Sequence, residues 1–100
     1  MEDPTGEKYA KTIYDFETDE TFDRTTQPHT YPYDIDLYVP KSPNPKGRRW
    51  IYVCSSKSLE EAKKDAKKVL RSIKYTPATA RIVESRTGRI IEELEKLEEP

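Results

Sequence analysis

The stretch Trp50-Ile51-Tyr52-Val53-Cys54-Ser55-Ser56-Lys57-Ser58-Leu59-Glu60-Glu61-Ala62 decides the fold, because it joins a run of strand formers to a helix start within a few residues. Trp50 to Cys54 is continuous in aromatic and β-branched side chains, which marks a strand covered on both faces or central in a sheet. Ser58-Leu59-Glu60-Glu61 has the spacing of a capping box, with the Ser58 hydroxyl placed to accept from the amide of Glu61. Beyond it, Leu59, Ala62, Ala66, Val69, Leu70 and Ile73 fall within roughly 100° of one another at the helical period, one apolar stripe on a helix that Pro77 ends.

Upstream, Tyr31, Tyr33, Ile35, Leu37 and Val39 alternate with Pro32, Asp34, Asp36 and Tyr38, the period of a half-buried strand. Pro32 and Pro40 cannot donate to a ladder, so they confine that strand to a sheet edge or to short length. Residues 40–49 form a Pro-rich basic loop that no helix would survive. Downstream, residues 79–84 read as a strand, and Ser85-Arg86-Thr87-Gly88 as a turn with glycine where a positive φ is needed. Arg89 to about Glu93 then returns antiparallel, although Ile90, Ile91, Leu94 and Leu97 also fit a helical stripe, so residues 92–99 are strand or helix. The order β-β-α-β-β predicts a small α+β domain over residues 31–100, with one amphipathic helix packed on one face of an antiparallel or mixed sheet.

Residues 1–30 read differently. They are acidic, rich in Thr, and carry scattered apolar side chains, the composition of an arm that is disordered or orders on a partner. Only 33% of the chain is hydrophobic, so part of it is expected to stay outside the core.

Charge is sorted along the chain. Residues 1–39 sum to −7, residues 40–91 to +10 and residues 92–100 to −4, within a total of −1. An acidic arm beside a basic body either folds onto it or leaves it for another molecule. The arm's candidates for partner contact are Tyr9, Tyr14, Phe16 and Phe22 with Asp15, Glu17 and Asp19, since Tyr combines contact area with a hydrogen-bonding tip. The basic surface is expected at Lys46, Arg48, Arg49, Lys64, Lys67, Lys68, Arg71, Arg81 and Arg86.

Catalytic and metal chemistry find little footing in the sequence. His29 stands alone, Cys54 lies inside an apolar strand where it reads as a small buried hydrophobe, and three glycines make no phosphate loop. Asp34-Ile35-Asp36 puts two carboxylates on one strand face without the spacing of a calcium loop. An enzyme would need a pocket around His29 or Asp34, which nothing in the sequence supplies. Neither cofactor nor metal is expected.

The expectation is therefore a non-catalytic interaction protein, an accessory subunit or an inhibitor or regulator of a larger assembly, that binds a protein partner through its acidic aromatic arm and basic body. The alternative is a nucleic-acid-binding module using the bases of residues 41–89, with Trp50 and Tyr52 on one side of their strand as a stacking pair. The single cysteine, the lack of an apolar run of about 20 residues and an opening that reads Met-Glu-Asp-Pro predict a cytoplasmic protein without a membrane span.

Overall fold

A computed structural model describes residues 8–97. It shows a small α+β fold, one helix on a six-stranded mixed sheet. The strands are β1 (Thr12–Asp15), β2 (Glu20–Asp23), β3 (Tyr33–Tyr38), β4 (Ile51–Ser56), β5 (Ala78–Glu84) and β6 (Ile90–Lys96), and the helix α1 (Leu59–Ser72) lies between β4 and β5. Their order across the sheet is β2-β1-β4-β3-β5-β6. All neighbours are antiparallel except β1 and β4, which run parallel.

The helix forms where its caps and stripe require. Ser58 Oγ accepts the Glu61 N–H at 3.2 Å, and Glu60 and Glu61 place negative charge at the positive end of the helix. At the other end Lys96 of β6 donates to the carbonyls of Leu70 and Ile73, at 3.1 and 2.7 Å, so a cation neutralises the last unpaired acceptors. Ala62, Ala66 and Leu70 are buried and Leu59, Val69 and Ile73 pack beside them, the six positions of the stripe. They meet Ile35, Leu37 and Val39 and, from the β5 side, Ala78, Ala80 and Ile82. Alanines on both surfaces let helix and sheet approach closely.

Directly paired residues share a face, so Ile35 with Ile82 and Leu37 with Ala80 define the helix side. Asp34 with Val83 and Asp36 with Arg81 consequently point to the opposite side. A register shift between Ile35 and Asp36 pairs Asp36 with Tyr52 while Ile35 pairs with Cys54, leaving Val53 as the extra residue of a bulge.

The structure decides two points that the sequence leaves open. The two prolines do not place β3 at an edge: it lies between β4 and β5, and both prolines fall outside its six residues, so they limit its length only. The chain end is strand as far as Lys96, because Leu94 pairs with Ala80 and Lys96 with Ala78 on the covered side, burial a free helix would not find. Residues 98–100 lie outside the described residues.

The boundary expected after residue 30 is not where the contacts divide. Within the segment read as an arm, β1 and β2 form a hairpin joined to the edge of β4, and Tyr9 bridges Arg89 ahead of β6. The Arg24 N–H donates to the carbonyl of Lys11, and the Ala10 N–H to that of Gly88. Composition pointed to an arm because its few apolar side chains, Ile13, Tyr14 and Phe22, are spaced for one hairpin rather than for a core of their own. Residues 1–7 are outside the described part. Among the described residues no helix is long and apolar enough to cross a membrane.

Candidate functional site: a buried ion quartet, an aromatic cleft and a cationic helix face

The side of the sheet away from α1 is organised by Arg24. Asp23 caps the 3-10 turn Arg24–Thr26 by accepting the Thr25 N–H, and this turn drives the Arg24 side chain onto the middle of the sheet, where it is 0% exposed. Its Nη1 lies 3.0 Å from Asp34 Oδ2 and 3.3 Å from Asp36 Oδ1, and its Nη2 lies 2.6 Å from Asp36 Oδ2. Arg81 Nε approaches the same Asp36 oxygen at 2.8 Å. Two guanidinium groups and two carboxylates thus share one buried site, and Ser55 and Ser85 both donate to Asp34 Oδ1, at 2.9 and 2.8 Å. Breaking such a network by removing one member costs about 3–5 kcal/mol, since the others stay buried without their counter-charge.

Arg81 was expected on the basic surface and is 7% exposed instead. Its guanidinium lies 3.9 Å from the centre of the Trp50 ring, and Tyr38 packs on that ring with centroids 5.4 Å apart. Burial lowers the Arg81 pKa, while Asp36 acts in the opposite sense. Trp50 and Tyr52 do share the face away from the helix, as their spacing implied, but Trp50 is packed against Arg81 and Tyr38 of its own chain.

The candidate arm residues separate into two groups. Tyr14 is 4% exposed, hydrogen-bonds through its hydroxyl to Asp19 and lies under the Arg49 guanidinium at 4.6 Å. That hydrogen bond to an anion, followed by desolvation, raises the Tyr14 pKa. Asp19 is held below the usual carboxylate range, first by Lys46 at 2.8 Å and then by Tyr14. Phe22 meets Tyr52 edge to face at 6.4 Å, and Asp15 accepts the Glu17 N–H within the β1–β2 turn. Tyr14, Phe22, Asp15 and Asp19 are therefore occupied within the fold. Tyr9 and Phe16 remain on the surface, 44% and 43% exposed, and Glu17 is exposed beside Phe16.

A cleft of about 560 Å³ opens on the same side, lined by Phe22, Arg24, Gln27, Pro28, His29, Thr30, Tyr31, Asp34, Tyr52, Cys54 and Ser55. It lies around His29 and Asp34, the place for which the sequence offered no pocket. Ser55 has one proton and gives it to Asp34, so the Tyr52 hydroxyl, 2.6 Å away, donates to Ser55 and is left with acceptor capacity. Desolvation raises the Tyr52 pKa, which keeps it a neutral phenol. Arg24 Nε and His29 Nε2 are buried without a hydrogen-bond partner among the described residues. Cys54 sits half-buried against the helix-side core, and desolvation pushes its thiol pKa up.

The remaining bases lie on two surfaces. Lys46 pairs with Asp19 and Arg49 covers Tyr14, both in the β1–β2 hairpin, while Arg48 Nε donates to the Ser42 carbonyl of its own loop at 2.8 Å. Arg86 is exposed in the β5–β6 turn. On α1, Lys64, Lys67, Lys68 and Arg71 are exposed along the side away from the core, where Lys64, Lys68 and Arg71 border a shallow groove with Asp65 and Ser72. Lys63 reaches Glu92 at 3.9 Å, whereas Lys64, Lys67 and Lys68 form no ion pair among the described residues. No group of three or more His, Cys, Asp or Glu side chains among the described residues is placed to hold a metal ion.

Sequence reasoning missed Arg24. Its signal was present: one base between acidic strands, ten and twelve residues ahead of a carboxylate pair on the polar face of the strand that follows.

The chain matches no family model, no curated protein and no solved structure. What the geometry defines is a class of architecture, a small α+β domain with one amphipathic helix and a buried ion quartet on the opposite sheet face.

Proposed function

We propose that this is a non-catalytic interaction protein that recognises an acidic protein partner through the exposed cationic face of α1. One observation supports this most strongly: Asp19, Asp23, Asp34 and Asp36 are engaged away from the helix, and among the described residues Lys64, Lys67, Lys68 and Arg71 form no ion pair. Asp19 serves Lys46, Asp23 caps a turn, and Asp34 and Asp36 serve Arg24 and Arg81. These four acids therefore do not shield the helix, and its positive charge stays on the surface among the described residues.

A field of this kind steers an acidic partner and fixes its register, with a dependence on ionic strength. Among the described residues the acidic aromatic segment offers the same partner Phe16 and Glu17, in the β1–β2 turn. A role as accessory subunit or regulator follows from a surface that binds without reactive groups.

A nucleic acid is the competing partner. It would rest mainly on charge at α1, since Trp50 already carries Arg81 over its ring and Tyr38 against it. Affinity capture from the native source with wild-type protein, with and without nuclease, separates the two. A nuclease-resistant protein partner lost at about 0.5 M salt supports the proposal. A partner released by nuclease transfers the assignment to nucleic acid.

A further inference from the structure

We infer that the cleft beneath the Gln27–Tyr31 segment is a binding site for a small, neutral, planar heterocycle of the nucleobase type. The inference is independent of the helix face, which lies on the other side of the sheet.

Four features of the cleft point to this class. Its volume of about 560 Å³ falls within the range of small-molecule sites, roughly 300–1,000 Å³. Aromatic rings from three elements border it: Phe22 and Tyr52, already set edge to face, and Tyr31, which is 38% exposed and offers a surface for stacking. Among the described lining residues the acidic and basic side chains besides His29 are Arg24 and Asp34, which pair with each other at 3.0 Å. A charged ligand would lose hydration there without gaining a counter-ion, so the site favours an uncharged one.

The fourth feature is the polar pattern. Tyr52 lines the cleft, and its Oη is left an acceptor because its proton is committed to Ser55, whose own proton goes to the Asp34 carboxylate. Gln27 and Thr30, both exposed on the rim, each offer a donor and an acceptor. His29 Nε2 lies just under the wall without a partner, a state that costs free energy and that a ligand can relieve by a small outward shift of the loop. Polar groups able to donate and accept, set among aromatic rings, match the ring nitrogens and exocyclic groups of a base better than a saturated or purely apolar molecule.

The probes are adenosine and uridine, titrated into the ¹⁵N-labelled full chain and followed by amide chemical shifts, with glucose as a neutral non-aromatic control. Saturable shifts confined to residues 22–31 and 52–55 are expected for at least one nucleoside and not for glucose. Tyr31→Ala and Gln27→Ala, both at exposed positions, should each weaken that binding at least 5-fold. The base can come from a free nucleoside or from a strand: a short oligonucleotide that binds tighter than the nucleoside, with loss on Tyr31→Ala, identifies the strand. Absence of saturable shifts up to the solubility of both nucleosides overturns the inference. So does a response to glucose alone, or binding that survives Tyr31→Ala and Gln27→Ala unchanged.

Discussion

Replacing Arg24 with Met removes the guanidinium that holds residues 8–30 against the sheet and leaves most of the side chain's volume in place. Arg24 bridges Asp34 and Asp36 by three contacts of 2.6 to 3.3 Å and is 0% exposed, as is Asp36. After the change Asp36 keeps Arg81 and Asp34 keeps the two serine hydroxyls, yet the site holds one guanidinium for two buried carboxylates. Loss of one member of a buried ion network costs about 3–5 kcal/mol. A chain of this length has a total stability of about 5–15 kcal/mol, so the loss removes a third or more of it in the middle of that range. At a urea m-value of about 2 kcal/mol per M the unfolding midpoint falls by roughly 1.5–2.5 M. Trp50 is the only tryptophan and is covered by Arg81 of the same network, so its fluorescence reports the transition. Asp36→Asn, alone and with Arg24→Met, completes a cycle in which the double variant should cost less than the sum by about 0.5–3 kcal/mol. A loss below about 1 kcal/mol for Arg24→Met, or strict additivity, would refute the reading of the quartet as the clamp on the N-terminal segment.

Gly88 sits at φ +78°, and a Cβ there would lie 3.0 Å from the Lys11 backbone, so Gly88→Ala should cost about 1–3 kcal/mol by thermal or urea unfolding; an unchanged midpoint would contradict the close crossing of residue 11. Asp19 has a depressed pKa from Lys46 and Tyr14, so its stabilising contacts are complete above the ordinary carboxylate pKa and are lost as pH falls through its lowered value. Carboxyl carbon shifts should titrate below about 3.9 for Asp19, and Lys46→Gln should move the midpoint upward. Cys54 is half-buried with a raised pKa, so at pH 8 a thiol reagent should label the native protein much more slowly than the urea-unfolded chain.

The elements whose local pattern and tertiary role agree were legible in the sequence. The Ser58 cap, the Leu59 to Ile73 stripe, the alternation from Tyr33 to Tyr38 and the glycine turn at Gly88 each lie close to where they were expected. The N-terminal hairpin was not, because its stability comes from partners far along the chain: Ile13 and Tyr14 gain burial only beside β4, and Arg24 gains its carboxylates only once β3 lies in the sheet. For the same reason Arg81 read as surface charge, since a lone base in an apolar strand reveals its acidic partner only through strand register. The cleft was invisible because its walls come from three separated segments. The helix face was legible, as its charge depends on helical period alone.

The most direct test of the account is affinity capture from the native source with the Lys64→Gln, Lys67→Gln, Lys68→Gln, Arg71→Gln variant beside wild type. All four side chains are exposed, so each change should alter folding stability by no more than about 0.5 kcal/mol. The account predicts that the folded variant loses the nuclease-resistant acidic protein that wild type retains. Equal retention of the same partner by both proteins would contradict it.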